Sequence, residues 1–200
     1  MPRPSLIKRF LIPMDKKLIE LQIYAVAGTP SDPDRSMVLL KEKDGERILP
    51  MMMSTKRAVT LMMRTKVQLP MPVATTIPDA AILMMNKFDV HLTRVVLTAI
   101  KEGNFYCQIY AEREGEEKTL EFCPAIDGIV LATAARCSLM IEEELLEAQY
   151  MHKTGENAFA ININMLTRQM LEEALQHAVE SENYEAASRL RDELAKRPVE

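Results

Sequence analysis

Tryptophan is absent from this chain, and aromatic bulk is scarce, with five tyrosines and five phenylalanines in 200 residues. Fifteen methionines take up the missing volume. An unbranched thioether fills irregular gaps, so the Met51-Met52-Met53 run and the pairs Met62-Met63 and Met84-Met85 are expected to face a core, with a Met-lined groove as the alternative. Cysteine is sparse too. Cys107, Cys123 and Cys137 are odd in number, include no Cys-x-x-Cys pair, and do not stand at zinc-like spacing from His91, His152 or His177. That pattern argues against a disulfide framework or a structural zinc site, and fits free thiols in a reducing cytosol. No apolar run approaches the roughly 18 residues that cross a bilayer. Phe10-Leu11-Ile12, cut off by Pro13, is too short for the apolar region of a signal peptide. A soluble cytoplasmic protein with no membrane contact is therefore expected.

Of the residues present, 48% are hydrophobic and 27% charged, the composition of a chain that buries a core. The formal net charge of −4 offers no general attraction for phosphates, so any such attraction has to be local. One stretch qualifies. Residues 47–78 contain Arg47, Lys56, Arg57, Arg64 and Lys66 and neither Asp nor Glu. Arg57 and Arg64 are seven apart and share a helix face. With Lys56 and Lys66 they form a candidate nucleic-acid-binding set that tracks a phosphate backbone. The competing reading is a solvated helix face paired with Glu142, Glu143 or Glu144. No aromatics interleave with these cations, so base stacking is not expected.

Hydrophobic patterning predicts an α+β fold. Strands are expected at Leu18–Val26, Met37–Lys43 and Glu46–Met53, the last two joined by an Asp44-Gly45 turn suited to positive φ. A helix capped by Ser54 or Thr55 runs to about Arg64, and a second starts at Pro78 and runs to about Phe88. The order then recurs: strands at Val90–Leu97, Phe105–Arg113 and Lys118–Cys123, followed by helices at Ile126–Ala135 and Glu142–His152. Turn residues Gly45 and Gly115 are 70 positions apart, and Pro50 and Pro124, each closing a third strand, are 74 apart. Two repeats of a three-strand, two-helix unit would form one barrel-like sheet. The domain reading is an N-terminal arm over 1–16, this domain over 17–153, a Gly- and Asn-bearing linker over 154–164, and a helical hairpin over 165–200. In that hairpin Leu171, Leu175, Ala178 and Val179 follow helical spacing, as do Ala186, Ala187, Leu190 and Leu194 beyond a break near Ser181-Glu182-Asn183. Helices this short fold back on one another to bury their faces.

The run Leu171-Glu-Glu-Ala-Leu175, Ala178, Tyr184-Glu185-Ala186-Ala187 and Leu190-Arg191-Asp192 resembles the UVR motif, a helical hairpin of nucleotide excision repair subunits and some protease adaptors. The resemblance implies a protein partner held through Leu171, Leu175, Tyr184, Ala187, Leu190 and Leu194. Residues from about 18 to 150 are similar to the bifunctional nuclease domain of bacterial proteins. The supporting segments are Val38–Pro50, Arg94-Val-Val-Leu-Thr98, Gly103-Asn-Phe-Tyr106 and Asp127-Gly-Ile-Val-Leu-Ala132. That resemblance implies the same two-repeat fold, a homo-oligomer, and cleavage of DNA and RNA. The chain departs from the family at its polar clusters. Ser54 and Arg57-Ala58 stand where a Gly and a Glu-Ala pair are usual. Ile77-Pro78-Asp79 replaces Thr-His-Asp, and Pro124–Ile129 replaces Arg-Pro-Ser-Asp-Ala-Ile. Asp79 and Asp127 survive as the candidate catalytic acids. Together they could hold a divalent ion such as Mg or Mn, or alternatively serve as N-terminal helix caps.

Two main functions remain open at this point, with a nucleic-acid-binding protein that does not cleave as a weaker third. One is a nuclease of broad DNA and RNA specificity, recruited through the hairpin. The other is a catalytically inactive, oligomeric platform or adaptor that docks a repair or proteolysis partner, which the missing His and Glu favour.

Overall fold

Ile19, Leu21 and Ile23 alternate with polar neighbours and turn their apolar sides to the core as β1 (Leu18–Thr29). β2 (Asp32–Glu42) and β3 (Ile48–Ser54) complete an antiparallel meander, burying Val38, Leu40, Leu49, Met51 and Met53. α1 (Thr55–Lys66) follows and inserts Ala58 and Leu61 into that core, and then α2 (Ile77–Lys87). A second meander comprises β4 (His91–Lys101), β5 (Asn104–Arg113) and β6 (Glu116–Pro124). α3 (Ala125–Ala135), β7 (Ser138–Glu142) and α4 (Glu143–Gln149) close the main domain. β8 (His152–Lys153), where the last expected helix of the domain was to end, pairs with β9 (Phe159–Ala160), which lies within the segment read from sequence as a linker. α5 (Arg168–Glu180) and α6 (Tyr184–Ala195) form the hairpin. This computed structural model describes residues 16–29, 32–66, 76–101, 103–153, 159–160, 166 and 168–196. The expected N-terminal arm and most of residues 154–164 lie outside the described residues.

Each unit contains the expected three strands and two helices, with β7 as an addition to the second. β7 joins the halves, lying antiparallel to β1 and parallel to β4 in the sheet order β3-β2-β1-β7-β4-β5-β6. In a flat sheet β3 and β5 would stand roughly 24 Å apart, five strands at about 4.8 Å each. Yet Met51 and Met52 of β3 line one small cavity together with Asn104 and Phe105 at the start of β5, so the sheet curls strongly. It is not closed, because β3 and β6 are its two edges. α3, apolar around most of its circumference, sits in the concave side against β4, β5, β6, β7, α1 and α2. The cavity holds about 50 Å³ and is also lined by Met37 and Met170, which is space for water and not for an organic ligand. Met51 and Met53 therefore serve as core, while Met52 between them is half-buried.

Arg47 ties the β2–β3 hairpin to α4. Its guanidinium donates to both Glu42 carboxylate oxygens, at 3.0 and 2.9 Å, and to Glu147 at 2.9 Å. The hydrogen bonds from Arg47 hold the Glu42 carboxyl below the usual carboxylate range. Glu142, expected to open a helix, ends β7 as a buried carboxylate joined to Lys16.

Candidate functional site

Several segments meet at the start of α1. Thr55, expected as a helix cap, is the first helical residue, and its hydroxyl donates to Pro33 O at 2.8 Å. The buried Ser36 hydroxyl hydrogen-bonds the Thr55 hydroxyl at 3.0 Å, so the first residues of β2 are pinned beside the helix N-terminus. Between them and α3 opens a cleft of about 520 Å³. Its polar lining is Asp32, Asp34, Arg35, Ser54, Arg57 and Asn104, over apolar Met52, Met53 and Ile126. The first turn of α1 holds no acid, so its positive helix-dipole end is not offset from within the helix.

The two candidate acids lie beside the two candidate arginines. Arg57 on α1 reaches Asp127 in the first turn of α3 at 2.9 Å, with both side chains about half exposed (51% and 45%). Arg64, two turns further along α1, pairs with Asp79 on α2, and there exposure falls to 14% and 13%. Asp79 also accepts from the Thr76 backbone N–H at 3.0 Å and the Thr76 hydroxyl at 2.7 Å, while Arg64 donates to that same hydroxyl at 3.0 Å. This second constellation is a largely buried clamp between α1 and the start of α2. It joins Asp79 to a helix terminus, as the capping alternative anticipated.

Screening by water leaves an exposed ion pair worth about 0–1 kcal/mol. A phosphate can therefore exchange with Asp127 for Arg57, whereas Arg64 is not accessible in this way. Lys56 is exposed beside Arg57. Lys66 ends α1, and its side chain lies outside the described residues. The glutamates considered as partners for the basic helix lie elsewhere: Glu142 pairs with Lys16, and Glu143 with Lys17 and Arg47. Among the described residues no group of three or more His, Cys, Asp or Glu side chains forms a metal-binding set.

Asp32, Asp34, Arg35 and Asn104 were not singled out as site residues from sequence, where residues 27–36 fall between two expected strands. The usable signal was an Asp-Pro-Asp-Arg cluster ahead of a hydrophobic strand. Next to the site, Cys107 and Cys123 face each other across β5 and β6. Burial, reinforced by the neighbouring Cys123 and Asp127, pushes the Cys107 thiol up to about 12, so it is no nucleophile near neutrality.

In the hairpin, Leu171, Ala187 and Leu190 are buried in its own seam, with Leu175 and Leu194 packed against them. Five of the six expected partner-binding residues thus close the hairpin on itself. Tyr184 remains exposed, together with Val179. Asn183 caps α6 by accepting from Ala186 N at 3.2 Å.

The fold and cleft define an α+β domain whose curled sheet wraps one apolar helix, joined to a two-helix hairpin. Residues 38–154 match the bifunctional nuclease domain, and the chain belongs to that family. Residues 169–196 match the UvrB/uvrC motif. No curated protein matches the chain. No helix among the described residues is long and apolar enough to cross a membrane.

Proposed function

We propose that this protein is a nuclease acting on single-stranded nucleic acid, with the cleft at the start of α1 as its phosphodiester site. The observation that carries this reading is the exposed Arg57–Asp127 pair beside a helix N-terminus. A phosphate entering the cleft takes Arg57 from Asp127 and meets the backbone N–H groups of the first turn of α1. Asp127 is then an unpaired carboxylate next to the phosphorus. It accepts a proton from the attacking water, while Arg57 and Lys56 neutralise the charge growing on the phosphorane oxygens. The leaving sugar oxygen departs and is protonated from solvent. A divalent ion such as Mg or Mn would be held by Asp127 and the substrate's own phosphate oxygens. Arg64 and Asp79 act only by fixing α1 against α2.

The hairpin serves as the docking element, with Tyr184 and Val179 as its exposed apolar contacts to a protein partner. A second reading, the inactive adaptor, draws on the absence of a metal-binding set among the described residues.

The test is cleavage of labelled single-stranded RNA and DNA with Mg²⁺, with Mn²⁺ and with chelator. Native protein should cleave, and Arg57→Ala and Asp127→Asn should each lose about 10²–10³-fold. Absence of cleavage by the native protein under all three conditions would leave the adaptor reading.

A further inference from the structure

We infer that the cleft selects ribose over deoxyribose, with Asp34 as the acceptor of the 2′-hydroxyl. This rests on the phosphodiester reading above and specifies the substrate at the same site. Among the described residues two arginines, Arg35 and Arg57, and two acids, Asp32 and Asp34, line the cleft, so the described lining is charge-balanced. A groove that tracks a run of phosphates needs an excess of cations. A balanced one accommodates a single phosphate, and its volume of about 520 Å³ is of small-ligand size.

Within that space the two acids differ. Asp32 is engaged: its Oδ1 accepts from Asp34 N at 3.0 Å, and its Oδ2 lies 3.8 Å from Arg35 Nε. The Asp34 carboxylate is exposed and has no hydrogen bond or ion pair among the described residues. Because the Pro33 carbonyl is tied to Thr55, Asp34 is held next to the turn that receives the phosphate. A free carboxylate there repels a second phosphate and attracts a hydroxyl donor. In a nucleotide the hydroxyl nearest the backbone phosphate is the 2′-hydroxyl, which is also the group that separates RNA from DNA. Met52 and Ile126 offer an apolar surface to the base, with no aromatic ring among the lining residues to stack on it. Asp32, Asp34 and Arg35 precede residue 38, where the family match begins, so this selectivity belongs to residues outside the matched segment.

The experiment is anisotropy of a labelled short oligoadenylate, its deoxy counterpart and its 2′-O-methyl counterpart, in chelator to prevent cleavage. Native protein should bind the ribo form about tenfold more tightly than the other two, the strength of one hydrogen bond to a charged acceptor. Asp34→Ala, an exposed change, should bring all three to the affinity of the deoxy form. Arg57→Ala should weaken all three alike. Equal binding of the three by native protein, or a ribo preference that survives in Asp34→Ala, would overturn the inference while leaving the phosphodiester site standing. Failure of native protein to bind any of them would overturn both.

Discussion

Gly128 lies where a β-carbon would come within 2.4 Å of Cys107 Sγ and 3.0 Å of Val95 Cγ1, so α3 rests on the sheet through an absent side chain. Gly128→Ala should destabilise the protein by about 1–3 kcal/mol through overpacking, and adding Cys107→Ala should recover part of that loss; chemical denaturation of the three variants checks it. Cys107 also gives the molecule an alkaline limit. Its thiol titrates near 9.0 when unfolded and at about 12 when folded, so the folded state binds the extra proton between those values. Stability from keeping the thiol neutral is fully present below pH 9 and drains away as pH rises towards 12. Urea midpoints measured from pH 8 to 11 should fall less steeply in Cys107→Ala than in the native chain.

Among the elements, the two turns of α1 between Arg57 and Arg64 separate two jobs that look identical in sequence. Both are arginines on one face of one helix, and each meets an aspartate in the first turn of another helix. Burial distinguishes them. Arg64→Ala removes the cation from a largely buried Asp79 that keeps its two Thr76 hydrogen bonds and should cost about 1–3 kcal/mol, whereas Arg57→Ala should stay within about 1 kcal/mol. Thermal unfolding of the pair would decide, and similar losses would refute the division. The helices and both meanders were legible from periodicity and from the turns around Gly45 and Gly115. Gly45, unlike Gly115, does not adopt the positive φ expected of a tight hairpin, because the link from Glu42 to Ile48 is longer than a two-residue turn. β7 was not, because five residues are too few for alternation to speak, and its partners β1 and β4 are distant in sequence. The hairpin seam was legible for the same reason the helices were. Which side faces outward was not, since a fold-back buries the residues that an isolated amphipathic helix would offer to a partner.

For the whole molecule, the curl of the sheet brings the start of β5 and the first turn of α3 to the cleft beside α1. That closeness joins residues 32–35, 54–57, 104 and 126 in one place, and no local pattern in the sequence announces it. The charge run over 47–78 pointed to the right helix but overstated the number of available cations. Arg47 is held by Glu42 and Glu147 and Arg64 by Asp79, which leaves Lys56 and Arg57 exposed among the described side chains of that run, with Arg57 lining the cleft and Lys56 next to it in sequence. With two contacts on a single strand, the salt dependence of binding should be shallow, a log–log slope of roughly −1.4.

The most direct test of the account is the rate at which Arg57→Ala cleaves single-stranded RNA, at a temperature where its fold is intact, relative to the native chain. A loss of about 10²-fold or more with unchanged thermal stability is predicted. Cleavage at the native rate would show that the cleft at the start of α1 is not where the phosphodiester is broken.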